Sequence, residues 1–410
     1  MTSERQLYVG LAWRGDAPAT PAGLLKLQRQ GVMESGEFAY GRQYLQSPGA
    51  VALNPTHLPL QEAVFPLAAH RLRDGGALPL TLRDAMPDAW GRRVLEAQHG
   101  PLSDVDLLLL TNADRVGAMV FGESLPIDAD AGVPQAQDLD VLAQAAAQLE
   151  AGKEPDRALK RLLQGGGSLG GTRPKASFIH GGQRHIAKFP SRGDAHDVEV
   201  LEASTLALAR LCGIAVPNFF LHPLRRGQAL LLERFDREGP AEAEVRRHYL
   251  SAAAVLGVRY ESSDGSYVEM AQAIRRLGAQ PQVDLLELYR RLVFNLVVDN
   301  SDDHVKNHGL LLRAEGWRLA PAFDLVMQLS NLGYQALAVL PGRLDSHLDL
   351  AREAAPQFGL TTAQAQAVVE GVAETIHTQA PVMLDAHGAD AALRRRAQAC
   401  LEKQARLIGL

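Results

Sequence analysis

The feature that most constrains the fold is an abrupt change of character after residue 298. From Asp284 to Val298, the residues Leu285, Leu288, Tyr289, Leu292, Val293 and Leu296 recur at helical spacing, so one face of this helix is core. The next ten residues, Asp299-Asn300-Ser301-Asp302-Asp303-His304-Val305-Lys306-Asn307-His308, are polar except for Val305. The apolar run Leu310 to Leu312 comes directly after them. Packing does not produce such a string between two buried elements, because each polar group taken from water must find a partner. The core elements therefore deliver the string to a place where its chemistry is used. Asp284, with Glu287 three residues later, reads as a capping box that starts the helix.

The residues beyond the string narrow the chemistry. Leu310 to Arg313, a turn at Ala314-Glu315-Gly316, and Trp317 to Ala320 predict a hairpin, after which comes Pro321-Ala322-Phe323-Asp324-Leu325. Asp302 and Asn307 stand five apart, the interval of a kinase catalytic loop in which the Asp accepts the attacking hydroxyl's proton and the Asn holds magnesium. Asp324 falls where such folds carry a second metal-binding aspartate, although Leu325 follows it and the DFG pattern is absent.

A site of this kind needs a strand lysine for the nucleotide phosphates and an acidic helix residue to hold it. Lys188 lies in the apolar strand His185-Ile186-Ala187-Lys188-Phe189, the second arm of a hairpin whose first arm is Ala176 to His180 and whose turn is Gly181-Gly182. Glu202 lies on the amphipathic helix predicted over Val198 to Leu211, and Glu199 is its rival as the partner of Lys188. Ahead of the hairpin, Gly165-Gly166-Gly167-Ser168-Leu169-Gly170-Gly171 carries five glycines that let backbone N–H groups approach phosphate oxygens. It is neither a Walker A nor a GxGxxG. Ala229 to Arg234 reads as a buried strand that ends in Glu233-Arg234-Phe235-Asp236-Arg237.

The whole chain fits an α+β protein with a protein-kinase-like bilobal fold. Strand-like pieces at Leu7 to Trp13, Glu37 to Tyr40 and Ala118 to Phe121, with a helix near Asp88 to Gln98, make a β-rich N-terminal module over 1–125. A Gly-rich loop and nucleotide-binding lobe is expected over 126–239, opening with a helix across Gln135 to Leu149. A helical C-terminal lobe is expected over 240–410, closed by helices at Gln364 to His377 and Ala391 to Ile408. The net charge of -5 argues against coating nucleic acid or an anionic membrane by bulk electrostatics. Two cysteines, Cys212 and Cys400, lie in no metal-binding spacing, and no long apolar stretch or leader is seen, so a cytoplasmic protein with no membrane association is expected.

These residues also carry a resemblance. Ser168-Leu169-Gly170-Gly171-Thr172-Arg173-Pro174-Lys175-Ala176, Glu233-Arg234-Phe235-Asp236-Arg237 and Ser301-Asp302-Asp303-His304-Val305-Lys306-Asn307 resemble the HipA family of serine/threonine kinase toxins. Met86-Pro87-Asp88-Ala89-Trp90-Gly91-Arg92-Arg93 and Arg115-Val116-Gly117-Ala118 are similar to that family's N-terminal domain. The resemblance implies a type II toxin-antitoxin kinase that uses ATP and Mg2+ to phosphorylate a protein serine, with aminoacyl-tRNA synthetases as the substrate class. It also implies a HipB-like helix-turn-helix antitoxin through which alone the chain reaches DNA. It assigns Asp302, His304 and Lys306 to catalysis, Asn307 and Asp324 to the metal, and Lys188 to the nucleotide phosphates, and Ser168, Gly170, Gly171 and Glu202 complete the expected ATP-binding set. Glu233 to Phe235 would form the hinge that contacts the adenine through backbone groups, and Ser168 would be autophosphorylated. Two alternatives stay open: a kinase-fold co-repressor without strong activity, and a metal-dependent hydrolase built on His304 and His308.

Overall fold

The computed structural model describes residues 2–72, 76–111, 114–128, 138–153, 171–260 and 264–410. Ser168 and Gly170 therefore lie outside the described residues. The chain divides into two compact units. Unit 1 comprises Met1–Ile186 and Asp236–Leu250, and unit 2 comprises Ala187–Phe235 and Ser251–Leu410.

Unit 1 is built on a five-stranded antiparallel sheet of β1 (Thr2–Leu11), β2 (Thr20–Gln30), β3 (Met33–Tyr40), β4 (Val64–Arg71) and β5 (Met119–Gly122), in the order β4-β3-β2-β1-β5. Leu7, Val9 and Leu11 alternate into the core, and Leu7 pairs with Leu25, which in turn pairs with Phe38. That register puts apolar side chains of three strands on one face. Sequence patterning missed β2 and β4 because each contains a proline. Pro21 sits where the β1–β2 register shifts, and Pro66 lies on an edge strand, the two settings in which a missing N–H is tolerated. The unit also carries helices α1 (Ala89–His99), α2 (Asp104–Leu110) and α3 (Leu139–Glu150), α1 and α3 over the expected helical segments, with Asp88 capping α1 through the Gly91 N–H.

Two of the motifs prove to be structural. Trp90 Nε1 donates to the Lys175 carbonyl at 2.8 Å, and Lys175 Nζ returns to Asp88 at 2.7 Å, so the α1 motif is tied to β6 (Lys175–His180). β6 turns into β7 (Gln183–Lys188) through Gly181 and Gly182, both at positive φ as a two-residue hairpin turn requires. Asp236 accepts from the Gly117 N–H at 2.8 Å, while Arg237 donates to the carbonyls of Arg115 and Gly117. The end of one sequence string thus cross-links another. Arg115 is fully buried, and burial, with Arg246 and Arg237 adding like charge, pushes its guanidinium down to about 9.

In unit 2, α4 (Val198–Leu211) is capped by Asp197, and β8 (Phe219–Pro223) and β9 (Gln228–Glu233) form a hairpin. Then come α5 (Tyr267–Leu277), α6 (Pro281–Val297), the hairpin β10 (Gly309–Arg313) with β11 (Gly316–Leu319), α7 (Thr362–Ala386) and α8 (Ala391–Ile408). α6 is the central helix and packs on α5, α7 and α8. Its start departs from the expected capping box. Pro281 opens the helix after Gln280, Asp284 takes Arg318 at 2.9 Å, and Glu287 takes Arg291 and the Ala215 N–H. Proline at the helix start removes one of the first-turn N–H groups that would otherwise need a partner, and no side chain caps the rest from Gln280. The expected helix from Gln364 to His377 extends to Ala386, through Pro381. The β-rich N-terminal module and α-helical C-terminal module of the expected α+β architecture are both present. Among the described residues no helix is long and apolar enough to cross a membrane.

Candidate active site

Unit 2 contains Lys188, Glu202, Asp302, Asn307 and Asp324, residues that the kinase reading assigns to phosphate, metal and proton handling. Lys188, the last residue of β7, is almost wholly buried, and its Nζ lies 2.6 Å from Glu202 Oε1 and 2.6 Å from Asp324 Oδ1. The choice between Glu202 and Glu199 is settled geometrically in favour of Glu202, one helical turn further along α4. Burial would push the lysine down, but the Asp324 and Glu202 carboxylates outweigh it and hold the ammonium above its ordinary range. The result is a fixed cation with a carboxylate on each side.

Asp324 follows β11 by five residues and adopts a left-handed backbone with φ of +58°. The preceding Phe323 stacks on Phe235 with ring centroids 5.4 Å apart. Sequence reading placed Phe235 near a nucleotide base and missed Phe323, whose aromatic character next to Asp324 was the available signal. Glu233, at the end of β9, accepts from Asn218 Nδ2 at 2.8 Å. Its carboxylate thus has a structural partner, while its N–H donates to the Asn218 carbonyl.

The polar string leaves α6 and forms a short 3-10 turn at Val305–Asn307 before β10. Asp302 is exposed, and His304 Nε2 lies 2.8 Å from its Oδ1. That hydrogen bond is the chief reason the imidazole is held above its ordinary value, partly opposed by burial. Asn307 is buried and its Nδ2 reaches the Asp302 carbonyl at 3.4 Å, a long contact that sets its amide beside the loop backbone. Lys306, on the same turn, is half-buried. Beneath the loop, Asp303 is buried and takes Tyr267 Oη on one oxygen and His308 Nε2, at 2.9 Å, on the other. Asn295 Nδ2 donates to Tyr267 Oη at 2.9 Å, and Asn300 Nδ2 donates to Asn295 at 3.1 Å. The neighbouring acids thus divide: Asp302 faces solvent and Asp303 anchors the loop.

This arrangement does not suit a hydrolytic metal centre on His304 and His308. The 3-10 turn breaks the helical i, i+4 alignment, and the two imidazoles are taken up by different aspartates. No group of three or more His, Cys, Asp or Glu among the described residues could hold a metal ion by itself. A magnesium ion asks for less from the protein, one or two carboxylates plus phosphate oxygens and water. The partly exposed Asp324 carboxylate and the Asn307 amide are hard oxygen donors of that kind. Of the Gly-rich run, Gly171 is described, in unit 1, with φ of +97° that L-residues rarely adopt.

A strand lysine paired with a helix glutamate, an Asp and an Asn five apart on one loop, and an Asp beyond a hairpin define a kinase-like chain. Family comparison agrees. The HipA-like C-terminal domain matches residues 167–380, more than half of the chain, and the HipA N-terminal domain matches residues 17–122. The chain belongs to the HipA family.

Among curated relatives, the putative kinase Y4mE of Sinorhizobium fredii is 33% identical over 159 residues, which are 37% of this chain and 36% of that protein. The serine/threonine-protein kinase toxin HipA of Shewanella oneidensis is 28% identical over 187 residues, 39% of this chain and 42% of that protein. Both matches thus span less than half of the relative's length. Among solved structures, HipA of Shewanella oneidensis in complex with HipB and operator DNA superposes with a TM-score of 0.69, covering 98% of this chain and 99% of that one. At 18% sequence identity, that likeness shows a shared fold.

Proposed function

We propose that this chain is a Mg-ATP-dependent serine/threonine protein kinase of the toxin-antitoxin type. The observation that carries the reading is the buried Lys188 ammonium held at 2.6 Å by both Glu202 and Asp324. A lysine so fixed presents its charge to a phosphate without the entropic cost of ordering a free side chain.

In the proposed reaction Lys188 grips the nucleotide phosphates, and Phe235, backed by Phe323, borders the adenine. Asn307 and Asp324 would hold magnesium, which when bound neutralises charge on the phosphate oxygens. Asp302 orients the substrate serine hydroxyl and accepts its proton as the oxygen attacks the γ-phosphorus in line with the departing ADP. Lys306 lies on the same loop and offsets negative charge on the transferring group. His304 positions the Asp302 carboxylate. Ser168 is the proposed site of autophosphorylation, and Gly170 and Gly171 lend backbone N–H groups to the phosphates.

Family membership supports a protein substrate of the aminoacyl-tRNA synthetase class and a HipB-like antitoxin as partner, with operator DNA reached through that antitoxin. The solved relative, a HipA bound to HipB and operator DNA, supports the same partner. The setting is the cytoplasm.

The test is γ-phosphate transfer from labelled Mg-ATP, with the purified chain alone and in bacterial lysate, comparing wild type, Asp302→Ala and Ser168→Ala. Label on Ser168 or on a lysate protein that disappears in Asp302→Ala supports the reading. Tight ATP binding with no transfer by the wild type favours a co-repressor, and no binding removes the kinase assignment.

A further inference from the structure

Among the described residues, four non-glycine positions have positive φ: Asp299 (58°), Asp324 (58°), Leu329 (53°) and Asn331 (49°). They fall in just two segments, the start of the polar string and the stretch that begins with Asp324. A left-handed backbone costs an L-residue roughly 1–2 kcal/mol, so its concentration here needs something that holds it.

Asp299 supplies the hold. It is buried, and Oδ2 accepts the N–H of Ser330 at 2.8 Å and of Asn331 at 2.7 Å. Its carbonyl accepts the Gln328 N–H at 3.1 Å. One residue therefore binds three backbone donors of the 328–331 turn, four residues beyond Asp324 and three residues ahead of Asp302. The turn is braced from its other side, because Asn331 Nδ2 donates to the Cys400 carbonyl and to Gln404 on α8, and Gln404 Nε2 reaches back to the Leu296 carbonyl on α6. The Cys400 thiol also donates to Asp299 Oδ2, at 3.5 Å.

We propose that Asp299 is a positioning residue: its carboxylate locks the 328–331 turn to the catalytic loop and so fixes Asp324 relative to Asn307. The inference rests on the kinase reading, in which those two side chains share magnesium. Asp299 touches neither substrate nor metal in this role. Two N–H bonds to a buried carboxylate are charge-assisted and about twice as strong as neutral ones, which suits them to hold a strained segment.

The test uses the full chain as wild type, Asp299→Gly and Asp299→Asn. Glycine accepts the left-handed backbone but deletes the carboxylate, whereas asparagine keeps an acceptor and loses the charge. Three quantities are read: the melting temperature, hydrogen exchange of the 328–331 amides, and the Mg2+ concentration for half-maximal binding of a fluorescent ATP analogue. Asp299→Gly is expected to melt below wild type through the loss of those hydrogen bonds, to exchange faster at 328–331, and to need about tenfold more Mg2+ or beyond, the usual scale for losing an outer-shell partner. Asp299→Asn is expected at about threefold.

An unchanged Mg2+ requirement in Asp299→Gly, with an active wild type, overturns the inference and leaves the kinase standing. Reduced binding capacity at an unchanged Mg2+ requirement makes the residue merely structural and also overturns it. If the glycine variant does not fold, Asp299→Asn decides: a threefold rise supports the role and no rise removes it. A wild type that neither binds the analogue nor transfers phosphate overturns the kinase reading, and this inference with it.

Discussion

Lys188 and Asp324 stand 136 residues apart in the chain, yet Nζ of one lies 2.6 Å from Oδ1 of the other. The same ammonium bonds Glu202, which is buried, so Lys188→Met leaves a carboxylate in the interior with its cation gone. Removing one member of a buried pair costs about 3–5 kcal/mol. Because Asp324 remains partly exposed, the lower end of that range is expected, read as a lowered midpoint in urea unfolding. ATP binding should be lost along with it. Glu202→Gln, which retains an acceptor for Nζ, should unfold closer to wild type.

Asp302 behaves oppositely, because its side chain is 67% exposed and bonds the half-buried His304. Asp302→Asn should leave the unfolding midpoint within about 0.5 kcal/mol of wild type. Phosphate transfer should fall by about 10²- to 10⁴-fold, the usual worth of a general base, with KM for ATP unchanged. Steady-state kinetics on a phosphorylatable protein substrate separates the two parameters. A matching loss in KM would move Asp302 from proton handling to nucleotide binding.

The readable part of the site was the part whose chemistry is local in sequence. Asp302 and Asn307 lie on one loop, and Lys188 sits on a strand ahead of the helix that carries Glu202, so residue type and spacing nominated them, while the choice between Glu202 and Glu199 stayed open until the side chains were placed. The five-residue interval to Asn307 singled out Asp302 and left Asp303 as a supporting residue, but what Asp303 and Asp299 hold could not be read from the sequence. Asp303 meets Tyr267, and Asp299 meets the backbone of residues 330 and 331, partners some thirty residues away. The fold shows the same limit. The hairpins at Gly181-Gly182 and Ala314–Gly316 were legible from turn chemistry, whereas β2 and β4 were hidden by prolines that a register shift and a sheet edge accommodate. The Glu233–Arg237 string looked like a single motif, yet its last two residues belong to unit 1 and pin Gly117.

The His304–Asp302 contact predicts a pH dependence. The hydrogen bond to Asp302 raises the His304 imidazole above its ordinary 6.5. A group whose folded value is raised contributes its stabilisation fully below the unfolded value, and loses it as pH rises through the folded one. Below pH of about 6.5 the imidazolium therefore engages Asp302 and competes for the oxygen that must accept the serine proton. Transfer should rise with pH along a limb set by His304. In His304→Gln that limb should move to lower pH or vanish, a shift that a pH series of kcat detects; an unmoved limb would detach His304 from Asp302 in catalysis.

Tyr267 offers a test of the foundation under the loop. Its hydroxyl is buried, donates to Asp303 and accepts from Asn295, while burial, with the Asp303 charge adding to it, holds the phenol well above its ordinary range. The group thus stays a neutral donor throughout the working pH range. Tyr267→Phe keeps the ring that packs edge-on against His308 but strips one partner from the Asp303 carboxylate and one from Asn295. A hydrogen bond to a charged group is worth about 1.5–3 kcal/mol, so urea unfolding should show a loss in that range. Asp303 keeps His308, and the loop should stay attached. Transfer by Tyr267→Phe is therefore expected to fall far less than in Asp302→Asn. Asp303→Ala, which severs both bonds and leaves Tyr267 and His308 facing a void, should cost more stability than Tyr267→Phe and reduce transfer as the loop loses its anchor. Equal activity losses in Tyr267→Phe and Asp302→Asn would contradict the division of the two aspartates into one that anchors and one that reacts.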